Sequence, residues 1–194
     1  MTERPTNVLI DQITGERSLA LDLLWVVGFS LLTALLAQIE IRAPFMPVPW
    51  TGQTFGVLLS GAVLGSRRGF SSQLLYLAEG AAGLPVFAGG AFSFAHLLGP
   101  TGGYLWSLPI AAALVGVLVE KGAGRAVWRL AAALVLADAV ILLAGTAWLR
   151  AFFGYSLAQA ALLGFYPFVV GDLVKIALVG VSIPKVLKRF QHGV

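Results

Sequence analysis

The sequence predicts an all-α integral membrane protein: a bundle of six transmembrane helices with a Pro-rich outer loop dipping into it. Composition is the first observation. Of 194 residues, 58% are hydrophobic and 11% charged, with a mean hydropathy of +0.88, whereas a soluble domain carries about a quarter charged residues because its surface faces water. The second observation is that short polar breaks divide the chain into six apolar stretches. The third is a cluster of three prolines placed where one of those stretches is too short to cross a bilayer by itself.

The apolar stretches cover residues 19–39, 53–64, 70–87, 103–119, 129–149 and 164–183. A helix crossing the ~30 Å hydrocarbon core needs about 20 residues at ~1.5 Å each. The first, third, fifth and sixth stretches meet or approach that length. The second ends at the Gly65-Ser66-Arg67-Arg68-Gly69 turn after twelve residues, so residues 44–52 must supply the rest of its crossing. Pro44, Pro47 and Pro49 forbid regular helix there, since each lacks a backbone N–H and restricts the residue before it. Non-helical backbone survives at membrane depth only where protein or a water-filled cavity surrounds it. Either this loop enters the bundle and lines a pocket, or it is an external loop leading into a tilted short helix.

Orientation follows from Lys and Arg placement. With six spans, the termini and the 2–3 and 4–5 turns share one side. They hold Arg4, Arg17, Arg67, Arg68, Lys121, Arg125, Arg129, Lys185, Lys188 and Arg189, against Arg42 and Arg150 on the other. Both termini are therefore expected in the cytoplasm, which also accounts for the net charge of +4 without nucleic acid. Residues 1–18, which have no apolar run, read as a cytoplasmic lead with a possible amphipathic turn. Residues 19–184 read as one transmembrane domain and residues 185–194 as a basic tail.

Several enzyme classes are excluded by what is missing. The chain has no Cys and two His, His96 and His192, so thiol chemistry and a His-based metal site are not expected. It lacks Gly-x-Ser-x-Gly, His-Glu-x-x-His and Walker A elements. No cofactor is implied, and ATP-driven transport would need a separate motor subunit.

Charges within spans are costly and mark function by default. Asp172 and Lys175 stand three apart in the last span, so they share a helical face. One reading is a self-neutralising pair that fastens the bundle. The other is a site for a small polar ligand that offers N–H groups to the carboxylate and a carbonyl to the ammonium. Asp172 lies about 9 Å below the outer end near Tyr166, so such a site opens outward. Glu79 and Asp138 are also mid-span and suit structural or coupling roles; with Asp172 they would supply a proton-coupled carrier or an intramembrane enzyme. Asp22, near the inner end of the first span, snorkels or faces a partner. The Gly99–Tyr104 segment opens a span, and Gly102 and Gly103 there permit close approach of a carboxylate to free N–H groups. Ser30 and Ala34, with Thr33 and Ala37, are spaced four apart; this pattern lets helices approach closely, either within the bundle or as a docking face for a membrane partner.

Four segments taken in order carry a resemblance: Pro47-Val48-Pro49-Trp50-Thr51-Gly52-Gln53-Thr54, Gly83-Leu84-Pro85-Val86-Phe87, Gly99-Pro100-Thr101-Gly102-Gly103-Tyr104 and Gly171-Asp172-Leu173-Val174-Lys175. Together they resemble the BioY family, the biotin-binding substrate (S) components of energy-coupling-factor (ECF) vitamin transporters. The resemblance implies biotin captured from outside and partnership with a transmembrane coupling protein and two cytoplasmic ATPases. It also implies a ureido ring held by Asp172 and Lys175, with Phe87, Tyr104, Trp50 and Tyr166 as apolar walls. Thr51 and Gln53 would stand near the carboxylate. Docking would use the small residues Ser30, Ala34 and Ala37 of the first span.

Overall fold

A computed structural model describes residues 8–14, 18–44 and 46–191. The chain is mostly helical, and among the described residues four helices are long and apolar enough to cross a membrane. A short α1, Leu9–Thr14, precedes α2, Leu19–Ala37. Next comes α3, Gln53–Ala81, which is broken by Gly65 into two arms. After a loop holding the one-turn α4, Phe94–Leu97, come α5, Gly102–Glu120, and α6, Val127–Phe153. The short α7, Leu157–Gly164, leads into α8, Tyr166–Gln191.

The break at Gly65 is chemically specified. Its φ of 80° and ψ of −174° reverse the chain, a backbone state that glycine reaches without a Cβ clash. Glu120 at the end of α5 then accepts from the Ser66 N–H at 2.7 Å and from the Ser66 hydroxyl at 2.8 Å, satisfying the start of the second arm. The two arms of α3 lie beside α5, the central helix. Two-thirds of the apolar window of α5 is buried, against 17% for α2. Leu23, Leu24, Leu31 and Leu35 of α2 are all at least half exposed, a surface compatible with lipid and not with water.

Between α2 and α3 the chain does not stay wholly irregular. Glu40–Ile41 pairs antiparallel with Trp50–Thr51, a two-residue ladder absent from an all-α expectation. The prolines keep the segment out of helix, and its ends satisfy each other's backbone groups instead. This pairing, with Gly52 N–H donating to Leu36 and Ile39 carbonyls, pins Thr51 at the entrance of α3.

Parts of both ends of the chain are described. Val8, Leu9 and Ile10 are buried against the protein, so the amphipathic turn in the lead belongs to the bundle's own packing. Residues 185–191 continue α8 without a break, so the tail is helical that far. Arg4, Arg17 and His192 lie outside the described residues, as do the side chains of Lys188 and Arg189.

The small residues of α2 turn inward. Ser30 and Ala37 are fully buried and Ala34 nearly so, which removes them from an outward docking face. The reason is local. Gly56 of α3 approaches so closely that a Cβ there would sit 3.0 Å from the Thr33 hydroxyl. Ser30 donates between the two Glu79 oxygens at 2.8 and 2.9 Å, and Gln73 Nε2 donates to Thr33 and Ser60 at 3.1 and 3.2 Å. Polar contacts of this kind are worth about 0.6 kcal/mol each between membrane helices. Arg68 reaches both Asp11 and, at 3.5 Å, Asp22, which gives Asp22 a partner within the chain.

The α3–α5 contact depends on missing side-chain atoms. A Cβ on Gly116 would stand 2.2 Å from the Ser66 nitrogen and 2.3 Å from the Gly65 carbonyl carbon. Gly116→Ala should therefore lower the thermal midpoint of the detergent-solubilised protein, at a cost of about 1–3 kcal/mol. Gly171→Ala, where a Cβ meets nothing within 4 Å, should leave the midpoint unchanged. Equal midpoints for the two variants would contradict this packing.

Candidate functional site

A cavity with about 580 Å³ of empty space, its open mouth included, lies among the start of α3, α5, α6, α8 and the loops that precede α3 and α5. The Pro-rich loop supplies Val48, Pro49 and Thr51, α3 supplies Gln53 and Thr54, and the following loop supplies Phe87, Ala88 and His96. Thr101 and Tyr104 stand at the start of α5, Ile141 and Leu142 on α6, and Phe168, Asp172 and Lys175 on α8.

The acid–base pair is the chemical centre of this cavity. Lys175 Nζ donates to Asp172 Oδ1 at 2.7 Å, to the Thr54 hydroxyl at 2.6 Å and to the Thr51 carbonyl at 2.8 Å. An ammonium has three N–H donors, so all three are committed. Thr54 in turn donates to Asp172 Oδ1 at 2.9 Å. The side chain of Asp172 is 2% exposed, and its second oxygen, Oδ2, is buried without a hydrogen-bond partner among the described residues. An ionised carboxylate has roughly four acceptor positions. One oxygen of this carboxylate is thus saturated by the protein, while the other faces no protein donor.

Helical geometry explains which aromatic residues join Asp172. Phe168 is four residues earlier on α8, hence on the same face, and its ring lies 5.9 Å from that of Tyr104. Tyr104 is fixed by donating to the Gly164 carbonyl at 2.5 Å, and its ring lies where a Cβ on Gly145 would be, 2.2 Å away. Phe87 is seated by a similar absence, 2.1 Å from the Cβ position of Gly80. It stacks on His96 with centroids 5.2 Å apart and meets Tyr76 edge-on at 5.5 Å.

Of the residues singled out from sequence, Asp172, Lys175, Thr51, Gln53, Phe87 and Tyr104 meet at this cavity. Four others do not line it. Tyr166 is 62% exposed; six residues before Asp172 at ~100° each, it points about 120° away from the pair. Trp50 packs partly buried against the apolar core. Gly102 and Gly103 are buried under Trp148, where a Cβ would come within 3.0 and 2.3 Å of that side chain, so they serve the contact between α5 and α6. Gln53 lines the cavity but its amide donates to Tyr76 at 2.6 Å and its carbonyl accepts from Thr51 at 3.1 Å. Tyr76 passes the chain on to the Val86 carbonyl at 3.1 Å, so Gln53 and Thr51 link the Pro-rich loop to the loop that carries Phe87.

Sequence reasoning missed Thr54, Thr101, His96 and Phe168. Thr54 adjoins the Thr51-Gly52-Gln53 motif, and Phe168 is one helical turn before Asp172; both spacings are visible in the sequence. Nothing local marks His96. Its ring meets the Thr101 hydroxyl at 3.3 Å through Nε2, and burial, reinforced by the charge of Arg42, pushes its pKa below the ordinary imidazole value. Asp138 is buried on α6, with Oδ1 unpartnered among the described residues and in electrostatic reach of Asp172 and Lys175. Glu79 is held by Ser30 in the α2–α3 contact.

Fold and cavity define a multi-pass helical membrane protein with a cavity built round a buried acid–base pair. Residues 7–192 match the BioY family, and the chain belongs to it. A probable biotin transporter BioY of Pyrococcus horikoshii is 44% identical over 149 residues, covering 77% of this chain and 85% of the relative. The biotin transporter BioY of Thermotoga maritima is 39% identical over 138 residues, or 71% and 80%. A crystal structure at 2.1 Å of the S-component for biotin from an ECF-type ABC transporter superposes with a TM-score of 0.79 at 26% identity, covering 87% of this chain and 92% of that one.

Thr54 is the residue through which the pair is oriented. Thr54→Val retains its shape but removes one hydrogen bond from each charge. The expected loss is about 1.5–3 kcal/mol in stability, read as a lower denaturation midpoint, with Thr54→Ser keeping most of the wild-type value. Val and Ser variants of equal stability would contradict the bridging role.

Proposed function

We propose that this chain is the biotin-binding substrate component of an ECF-type transporter, taking biotin from outside a prokaryotic cell membrane. Relatives named as biotin transporters support that reading, and the observation that carries it is the unpartnered, buried Oδ2 of Asp172 at the cavity. A ureido ring offers two N–H donors in a rigid plane, and Oδ2 has open acceptor positions for them. The ureido carbonyl accepts from Lys175, which yields one of its three present contacts in exchange. Phe87, Tyr104, Phe168, Ile141 and Leu142 provide apolar cover for the fused ring and its aliphatic chain.

The chain crosses the membrane six times in this reading, each arm of α3 forming one crossing and the Pro-rich loop entering the outer half as one wall of the site. Both termini are cytoplasmic, as the asymmetry of Lys and Arg requires. Residues 19–184 form the transmembrane domain, with residues 1–18 and 185–194 on its cytoplasmic side. Release of cargo is driven by a transmembrane coupling protein and two cytoplasmic ATPases, a reading supported by the likeness to the S-component for biotin of an ECF-type ABC transporter. A proton relay through Glu79, Asp138 and Asp172 is not favoured: Glu79 is engaged by Ser30 in a different helix contact.

A panel of vitamins screened by thermal melting tests the assignment. Biotin at a hundredfold excess over its dissociation constant stabilises a binding protein by about 2.7 kcal/mol, so a clear upward shift with biotin alone is expected. Asp172→Asn, which replaces one acceptor oxygen by a donor, should weaken biotin at least about tenfold, equivalent to about 1.4 kcal/mol. No shift with biotin, or unchanged affinity in the variant, would overturn the assignment.

A further inference from the structure

Cavity-lining His96 and Thr101 are not used by the pair chemistry, and their arrangement gives the site a second polar pole. The His96 ring is clamped on two sides, by the Phe87 face at 5.2 Å and by the Thr101 hydroxyl at 3.3 Å. It stands on the loop between α3 and α5, whereas Asp172 and Lys175 stand on α8. Of the charged groups, Arg42 is the one that bears on the His96 imidazole. Leu105, Leu108 and the ring of Tyr104 line the same cavity.

We infer that His96, positioned by Phe87 and Thr101, receives the carboxylate end of the bound ligand and takes up a proton as it does so. This rests on the biotin reading, in which a ureido head and a carboxylate are joined by an aliphatic chain. With the head at Asp172, the carboxylate must end where the cavity offers a donor that is not already committed. Lys175 has three partners, and Gln53 is bonded to Tyr76 and Thr51. Arg42 is mostly exposed and paired with Glu40 at 2.8 Å. Of the donor side chains lining the cavity, Thr101 and His96 remain, bonded to each other through one ring nitrogen, and an imidazole that gains a proton supplies both a charge and a second N–H donor.

The direction of the pH effect follows from linkage. In the empty protein, burial first and Arg42 second hold the imidazole neutral at neutral pH. An anion beside it favours the charged form, so the bound-state pKa lies above the free-state pKa. Binding then takes up a proton in the window between them. Affinity rises as pH falls through the bound-state pKa and levels off below the free-state one, with a slope of at most about tenfold per pH unit.

Other charged or titratable groups near the imidazole or across the cavity are Arg42 with Glu40, Tyr104, and the Asp172–Lys175 pair with Asp138 behind it. Their effects are removed by comparing biotin with biotinamide, which shares the head and chain but has a neutral end. The experiment is calorimetric titration of the full chain in detergent with both compounds from about pH 8 to about pH 5.5, where a carboxylate stays ionised. The ratio of biotin to biotinamide affinity should rise about three- to tenfold on acidification, and His96→Gln should flatten that ratio. A ratio that stays flat in the wild type, or one that rises equally in His96→Gln, overturns the inference while leaving the biotin reading intact. Failure of both compounds to bind overturns the biotin reading itself.

Discussion

Everything distinctive about this protein depends on one ionised pair placed where lipid would otherwise forbid it. Lys175 and Asp172 tolerate burial because Thr54 bonds both of them and the Thr51 carbonyl takes the third ammonium hydrogen. A lone charge at that depth would cost several kcal/mol. The cancellation is deliberately incomplete in one respect only: Asp172 Oδ2 has no donor from the described residues. The same four groups thus make the pair tolerable and keep one acceptor oxygen in reserve.

The rest of the fold holds those groups in register. Thr51 and Thr54 lie on either side of the start of α3, and their position is set by the Glu40–Ile41 to Trp50–Thr51 pairing and the Gly52 bonds to α2. Asp172 and Lys175 ride on α8, whose place is set through α6. The paired residues and the Gly52 bonds therefore tie α2 to α3 so that a backbone carbonyl meets an ammonium 124 residues away. Glycines at 61, 80, 116 and 145 bring the helices and rings close enough to shape the apolar walls.

Much of this was legible in the sequence because membrane physics is severe. Apolar stretches had to be helical, and the Gly65-Ser66-Arg67-Arg68-Gly69 segment had to interrupt them. Asp172 and Lys175 stood out since few residues can be charged within a span. Legibility failed where three-dimensional neighbours decide the role. Ser30, Ala34 and Ala37 have the spacing of a close helix contact, but spacing does not say whether the partner is α3 or another protein; Gly56 and Glu79 settle it within the chain. Tyr166 lies near the right height yet on the wrong face by about 120°. Gly102 and Gly103 adjoin the cavity in sequence but are covered by Trp148. His96 carries little local signal, since a histidine in a loop is ordinary until the chain folds.

The central claim concerns where one oxygen atom points and what it meets. A structure of the full chain with biotin bound, at a resolution that orients the bicyclic head, tests it most directly. The account predicts ureido N–H groups within hydrogen-bond distance of Asp172 Oδ2 and the ureido oxygen beside Lys175 Nζ. Biotin bound elsewhere in the bundle, or bound in this cavity with Asp172 still facing only Thr54 and Lys175, would contradict it.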